Sequence, residues 1–183
     1  MDTPHYFVCP RVVDPGYRSE LNRLISEHHI HIVIPTIDTE LRDIATLDFA
    51  QFSHPVLPII SSEDIVQHFD SKTSTARFFE KHGFKTPKII TQPTSEDLPL
   101  FAKMEHSSAS IGAQVVRTPE QLQYLLTLDQ PYVFQDYIQG VEYTVDAYVD
   151  RQGDILGVVP RQRLEVRGGE VSKAMTCKDS LII

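Results

Sequence analysis

Lys103 closes an apolar run, Leu100 to Met104, and is followed by Ser107, Ser108, Ser110 and Gly112. A small, hydroxyl-rich loop beside a lysine can wrap phosphate oxygens with backbone N–H and hydroxyl donors while the ammonium supplies charge. A solvated loop after an edge strand has the same composition, so this motif gains weight only from its neighbours. Lys72 follows Asp70 and Ser71 at a helix start, where the macrodipole favours anions. Most lysines lie on surfaces, and that reading of Lys72 stays open. Arg161 and Arg163 alternate along a strand and share a face, so two guanidinium forks there suit a phosphate or carboxylate. An exposed strand face paired with Glu165 fits them equally well.

Residues 133–149, VFQDYIQGVEYTVDAYV, place Gln135, Asp136, Glu142 and Asp146 in runs otherwise fit for burial. Four polar positions in a core sheet are costly unless each finds a partner or faces a ligand. The β-rich runs Val133 to Ile138 and Glu142 to Val149 flank Gln139-Gly140, a turn signal, and are expected to form a hairpin.

Other chemistry is less favoured. His28, His29 and His31 straddle a helix end and a strand start, which disfavours convergent metal coordination, and a solvated loop fits them better. Cys9 reads as a small buried hydrophobe rather than a nucleophile. No Gly-x-Ser-x-Gly, Walker-type loop or Cys/His zinc spacing occurs. Lys and Arg total 17 against 25 Asp and Glu, a net charge of -8, so no global field draws nucleic acid or an anionic membrane. Any anion site must be built locally. The two cysteines, Cys9 and Cys177, match no redox spacing. No apolar run approaches the roughly 20 residues that span a bilayer, and no basic-then-apolar leader opens the chain, so a cytoplasmic protein is expected.

The elements that must position these residues follow in order. HYFVCP, residues 5 to 10, reads as a strand, and Tyr17, Leu21, Leu24, Ile25 and His28 fall on one helical face. HIVIP, residues 31 to 35, is a β-branched strand without alternation, as in a parallel strand covered on both faces. A helix with Leu41, Ile44 and Ala45 inward follows, then a strand from Val56 to Ile60. Ser61 with Asp64 resembles a capping box for the helix EDIVQHF. The alternation is a doubly wound α/β pattern. From Asp70 the style changes to α+β. SKTSTARFFEKHG reads as a helix with Phe78 and Phe79 inward and Gly83 as its stop. Strands are expected at Lys88 to Thr91, Leu100 to Met104, Ala113 to Arg117 and Ile155 to Leu164. Thr118-Pro119-Glu120-Gln121 starts a helix that buries Leu122, Leu125 and Leu126, and Arg151-Gln152-Gly153-Asp154 is a turn.

Asp70-x-Lys72 at a helix start, Gly83 to Pro87, Lys103 with its Ser/Gly loop and FQDYIQGVEYTVDAY together resemble the ATP-grasp superfamily, in particular its carbamoyl-phosphate synthase large-chain-like group. The resemblance covers nearly the whole chain. It implies a partial doubly wound, Rossmann-like pre-ATP-grasp domain over residues 1–69 and a partial ATP-grasp domain over 70–183, divided into subdomains at 70–132 and 133–183.

It further implies that Lys72 and Lys103 contact ATP phosphates and that Gln135 faces the adenine amino group. The backbone of Asp136 and Ile138 would bond the adenine edge, and Glu142 would take the ribose hydroxyls. Ser107, Ser108, Ser110 and Gly112 would form the loop over the phosphates. Arg161 and Arg163 would lie toward the transferred phosphoryl group or the substrate. Gln135 stands where many members have Glu, and Met104 and Ser107 replace the usual Gly and Pro. Family members bind Mg²⁺ through acidic residues and an Asn beyond the strand of Arg161 and Arg163. The sole Asn here is Asn22, so the Mg²⁺ ligands are expected outside this chain.

The implied function is the ATP-binding portion of a carboxylate–amine or carboxylate–ammonia ligase acting through an acyl phosphate, inactive by itself. The alternative is a non-catalytic nucleotide-binding or subunit-interaction module, and a third reading retains the fold alone. Small carboxylate and amine substrates are the expected partners, and apolar surface is expected to drive self-association or to meet a partner subunit.

Overall fold

The computed structural model describes residues 6–107, 110–150 and 152–180. They form a mixed α/β structure in two compact units, Met1–Phe78 and Phe79–Ile183.

In the first unit, α1 (Tyr17–Glu27) buries Tyr17, Leu24 and Ile25 on the face its spacing dictates. Burying such side chains contributes about 1.5–3 kcal/mol each. β1 (Ile32–Val33) pairs in parallel with β2 (Leu57–Pro58), Ile32 opposite Leu57 and Val33 opposite Pro58. Between them α2 (Asp38–Ala45) buries Ile44, and α3 (Glu63–Asp70) follows with Val66 inward. The parallel arrangement agrees with the sequence pattern, but the pairing is shorter and less covered than expected, with Ile32, Ile34 and Ile59 exposed. Residues 6–10 form no strand; Tyr6 and Val8 are exposed, and without a ladder partner their β propensity is not realised. The start of α3 also departs from expectation. Its cap is Ser62, not Ser61, and the Ser62 side chain bonds the Asp64 carboxylate and holds its pKa down.

Helix α4 (Lys72–Lys81) ends in a Schellman arrangement. The Gly83 N–H donates to the Glu80 carbonyl and the Phe84 N–H to the Phe79 carbonyl, with Gly83 left-handed at φ 80°. The Phe79 and Phe84 rings meet edge to face at 5.8 Å, which supplies the apolar contact of this motif.

The second unit holds two three-stranded sheets. β3 (Leu100–Met104) is central in the first, antiparallel to β4 (Gln114–Val116) on one side and β5 (Tyr132–Asp136) on the other. The segment expected as a strand at Lys88 to Thr91 adds only a bridge, Ile89 to Gln135, on the outer edge of β5. Helix α5 (Pro119–Leu126) begins with the expected capping box: the Thr118 hydroxyl accepts from the Gln121 N–H, and the Gln121 side-chain oxygen accepts from the Thr118 N–H. Leu122 and Leu125 join Leu100, Ala102, Val116 and Phe134 in the core, while Leu126 is exposed, contrary to expectation. An eight-residue helix on one sheet face buries one stripe, and Leu126 lies beside it.

The second sheet is β6 (Tyr143–Val149), β7 (Ile155–Arg167) and β8 (Glu170–Thr176), antiparallel in sequence order. This overturns the expected hairpin. β5 pairs with β3 and β6 with β7, so Gln139-Gly140 lies in a connector between sheets. Gly140 does not take the left-handed conformation that a two-residue hairpin turn requires. The expected turn after Val149 is present: Asp150 accepts from the N–H groups of Gln152 and Asp154, with Gly153 at φ 90°.

Candidate functional site

Lys103 lies opposite Val133, and Gln135 opposite Phe101, in the β3–β5 register. Because side chains alternate along strands, Lys103 and Gln135 share one face of the first sheet. Leu100 and Ala102 turn the other way, toward the core that includes α5. The Asp136 N–H donates to the Lys88 carbonyl at 3.0 Å, so a ligand bonding this backbone would use the Asp136 carbonyl. Ile138 follows in the connector and is exposed. Tyr137 between them lies under the Arg117 guanidinium, 5.4 Å from the ring centroid, a contact that ties the connector to the end of β4.

The loop after β3 is shaped by its glycine. Ser107 Oγ donates to the Met104 carbonyl at 3.4 Å. Ser110 is left-handed at φ 54°, and its carbonyl accepts from the Ala113 N–H. At Gly112, with φ 73°, a Cβ would lie 2.9 Å from Met104 Cγ and Sδ and from the Tyr132 hydroxyl. Ser108 lies outside the described residues. Lys72 is the first residue of α4 and belongs to the other unit.

On the second sheet, Glu142, Asp146, Arg161 and Arg163 form two ion pairs. Arg161 grips Asp146 with both Nε and Nη2, the latter at 3.0 Å from Oδ1. That hydrogen bond holds the Asp146 carboxyl below its usual range and raises the Arg161 guanidinium. Arg163 Nη1 donates to Glu142 Oε1 at 2.8 Å, and Nη2 to the Gly169 carbonyl at 3.0 Å. The strand spacing therefore does bring both arginines to one face, and their acid partners are on β6 and its leading residue. Neither Asp146 as a guanidinium holder nor the Gly169 carbonyl was evident from sequence. The alternation of Glu142 and Asp146 at even spacing was the available signal for the first. Gly168-Gly169, at φ 55° and 82°, was the signal for the missed strand β8.

The remaining sequence candidates organise differently. His29 and His31 pack edge-on against His54, with ring centroids 5.4 and 4.9 Å away, and His54 Nε2 bonds the Ile30 carbonyl. Among the described residues no group of three or more His, Cys, Asp or Glu could hold a metal ion. Burial, with Glu20 and Glu40 behind it, pushes the Cys9 thiol up, which disfavours the nucleophilic thiolate. Among the described residues no helix is long and apolar enough to cross a membrane.

A family model described as the ATP-grasp domain matches residues 69–182. No curated protein matches the chain in sequence. Among solved structures, the chain is similar to an L-amino acid ligase from Bacillus licheniformis, with a TM-score of 0.66 and 17% identity over 93% of this chain and 43% of that one. It is also similar to the N5-carboxyaminoimidazole ribonucleotide synthetase from Thermus thermophilus, at TM-score 0.60 and 19% identity over 83% and 42%. A third is the D-alanine–D-alanine ligase from Helicobacter pylori, at 0.54 and 20% over 70% and 45%. At these identities the likeness shows the fold. The chain spans less than half the length of each of these proteins.

Proposed function

Because the chain belongs to the ATP-grasp family, we propose that it forms the ATP-binding portion of a carboxylate–amine or carboxylate–ammonia ligase. The observation that carries this reading is the register that sets Lys103 and Gln135 on one face of the first sheet, next to the connector of Ile138 and Glu142. An ammonium can neutralise phosphate oxygens there, and an amide oxygen can accept from the adenine amino group. The Asp136 carbonyl and Ile138 N–H would bond the adenine edge, and the Glu142 carboxylate can accept from both ribose hydroxyls.

Ser107, Ser108, Ser110 and Gly112 would close over the phosphates. Arg161 and Arg163 would face the transferred group. In the chemistry proposed, a substrate carboxylate oxygen attacks the γ-phosphorus of ATP. The bond to the β–γ bridging oxygen breaks, giving an acyl phosphate and ADP. The lone pair of an amine or ammonia then attacks the acyl carbon, phosphate leaves, and the nitrogen loses a proton. The first step needs positioning and charge neutralisation more than a nucleophilic side chain, which suits a site made of Lys, Arg and backbone donors.

Mg²⁺ is the usual neutralising cation in phosphoryl transfer. The described residues offer it no cluster of three or more His, Cys, Asp or Glu ligands. The carbamoyl-phosphate synthase-like subgroup, the division of the chain at Asp70 and a cytoplasmic setting belong to the same proposal. So does contact with a partner subunit or second copy.

The test is calorimetric titration with ATP, with and without Mg²⁺, beside Lys103→Ala. Saturable binding that the variant loses supports the site, and a folded protein that does not bind ATP overturns it.

A further inference from the structure

Arg163 and Glu142 are joined twice at the start of β6. The Arg163 backbone N–H donates to the Glu142 carbonyl at 2.9 Å, and Arg163 Nη1 donates to Glu142 Oε1 at 2.8 Å. The two side chains are unequally fixed. That of Arg163 is 19% exposed, its Nη2 is bound to the Gly169 carbonyl, and its buried Nε has no hydrogen-bond partner among the described residues. The Glu142 side chain is 66% exposed. The guanidinium is therefore the anchored member, and the carboxylate is the member able to leave. Its departure would strip a largely buried cation of its counter-charge, which is costly until another anion takes the place.

We propose that Glu142 is shared between two subsites: it pairs with Arg163 as seen here, and turns to the ribose hydroxyls when a nucleoside binds. Arg163 Nη1 then becomes a donor to a phosphoryl oxygen. This rests on the nucleotide reading above and adds a consequence to it. Ribose occupancy and phosphate occupancy become positively coupled through one carboxylate, and the coupling is reciprocal by linkage.

Adenosine, which carries the ribose without phosphate, is the probe. Arg163→Met removes the competitor for Glu142, so adenosine binding measured by calorimetry should tighten about three- to tenfold, the range of a part-exposed charge-assisted hydrogen bond. ATP binding to the same variant should weaken, because a phosphate donor is lost. In a Glu142→Gln background, Arg163→Met should leave adenosine affinity within about twofold. In the unaltered protein, inorganic phosphate should tighten adenosine by a factor comparable to the Arg163→Met effect. That last measurement decides the matter if Arg163→Met does not fold. Adenosine affinity that is unchanged in Arg163→Met, or that falls together with ATP affinity, overturns the shared carboxylate while leaving the nucleotide site standing. Where that variant does not fold, indifference to phosphate does the same. Failure of the unaltered protein to bind either adenosine or ATP overturns both the nucleotide reading and this inference.

Discussion

Gly83 and Gly112 show how two glycines with the same backbone conformation differ in consequence. Both are left-handed, at φ 80° and 73°. A Cβ on Gly83 would meet nothing within 4 Å, whereas one on Gly112 would press on Met104 and Tyr132 at 2.9 Å. Gly83→Ala should therefore cost about 1 kcal/mol for the unfavourable φ alone. Gly112→Ala adds overpacking and should cost about 3 kcal/mol. Urea unfolding of the two variants measures the difference, and equal losses would refute the packing argument. At Asp146 the prediction concerns pH. Its folded-state pKa is lowered by the hydrogen bond from Arg161, so the pair's contribution is present above the unfolded value of about 3.9. It is lost as pH falls through the lower folded value. A carboxyl-carbon titration by NMR should place Asp146 below the ordinary aspartate range and return it there in Arg161→Gln. Sequence spacing indicated that the arginines share a face, since strand alternation is a local rule. It could not indicate which acids hold them, because Asp146 and Glu142 meet them only through the β6–β7 register.

At the level of elements, what the sequence disclosed was what short-range chemistry decides. The start of α5 is an example, because all its capping partners lie within four residues. Thr118→Ala should cost about 1 kcal/mol in chemical denaturation, with Thr118→Ser recovering most of it; a loss of less than a few tenths would show that sheet packing alone holds the helix. The Schellman end of α4 was legible from Gly83 for the same reason. Strand pairing was not. Gln139-Gly140 carries a turn signal yet joins no paired strands, whereas Gly168-Gly169, not singled out from sequence, joins paired strands, Arg167 opposite Glu170. The distinguishing fact is backbone conformation: both Gly168 and Gly169 have positive φ, as a type I′ turn demands, and Gly140 does not. The connector it occupies instead carries Ile138 and Glu142, proposed to meet adenine and ribose. A stretch rich in polar residues between two sheets thus looked like a hairpin because both its flanks are genuine strands.

For the molecule as a whole, the distribution of exposed apolar side chains has a consequence that charge only partly offsets. On one face of the β6–β7–β8 sheet, Tyr143, Val145 and Met175 are exposed, Val145 at 45% and Met175 at 51%. In the first unit, Ile32, Ile34 and Ile59 are exposed on and beside the β1–β2 pair. Exposed apolar side chains gathered on one strand face suit a contact, and a net charge of -8 opposes close approach of copies without abolishing a local apolar match. The paired sheet face should drive association of this chain with itself. In sedimentation velocity, the average sedimentation coefficient should rise from the low to the high micromolar range. Lowering the salt should weaken the association, because repulsion between like-charged copies is then less screened. Substituting Val145→Lys and Met175→Lys together places two cations on exposed positions of that face and should hold the chain monomeric, with circular dichroism showing the sheet retained. A monomer at every concentration in the unaltered protein would remove self-association from the reading. Association that persists in the double variant would move the contact from this sheet face to another surface, the β1–β2 region being the next to alter.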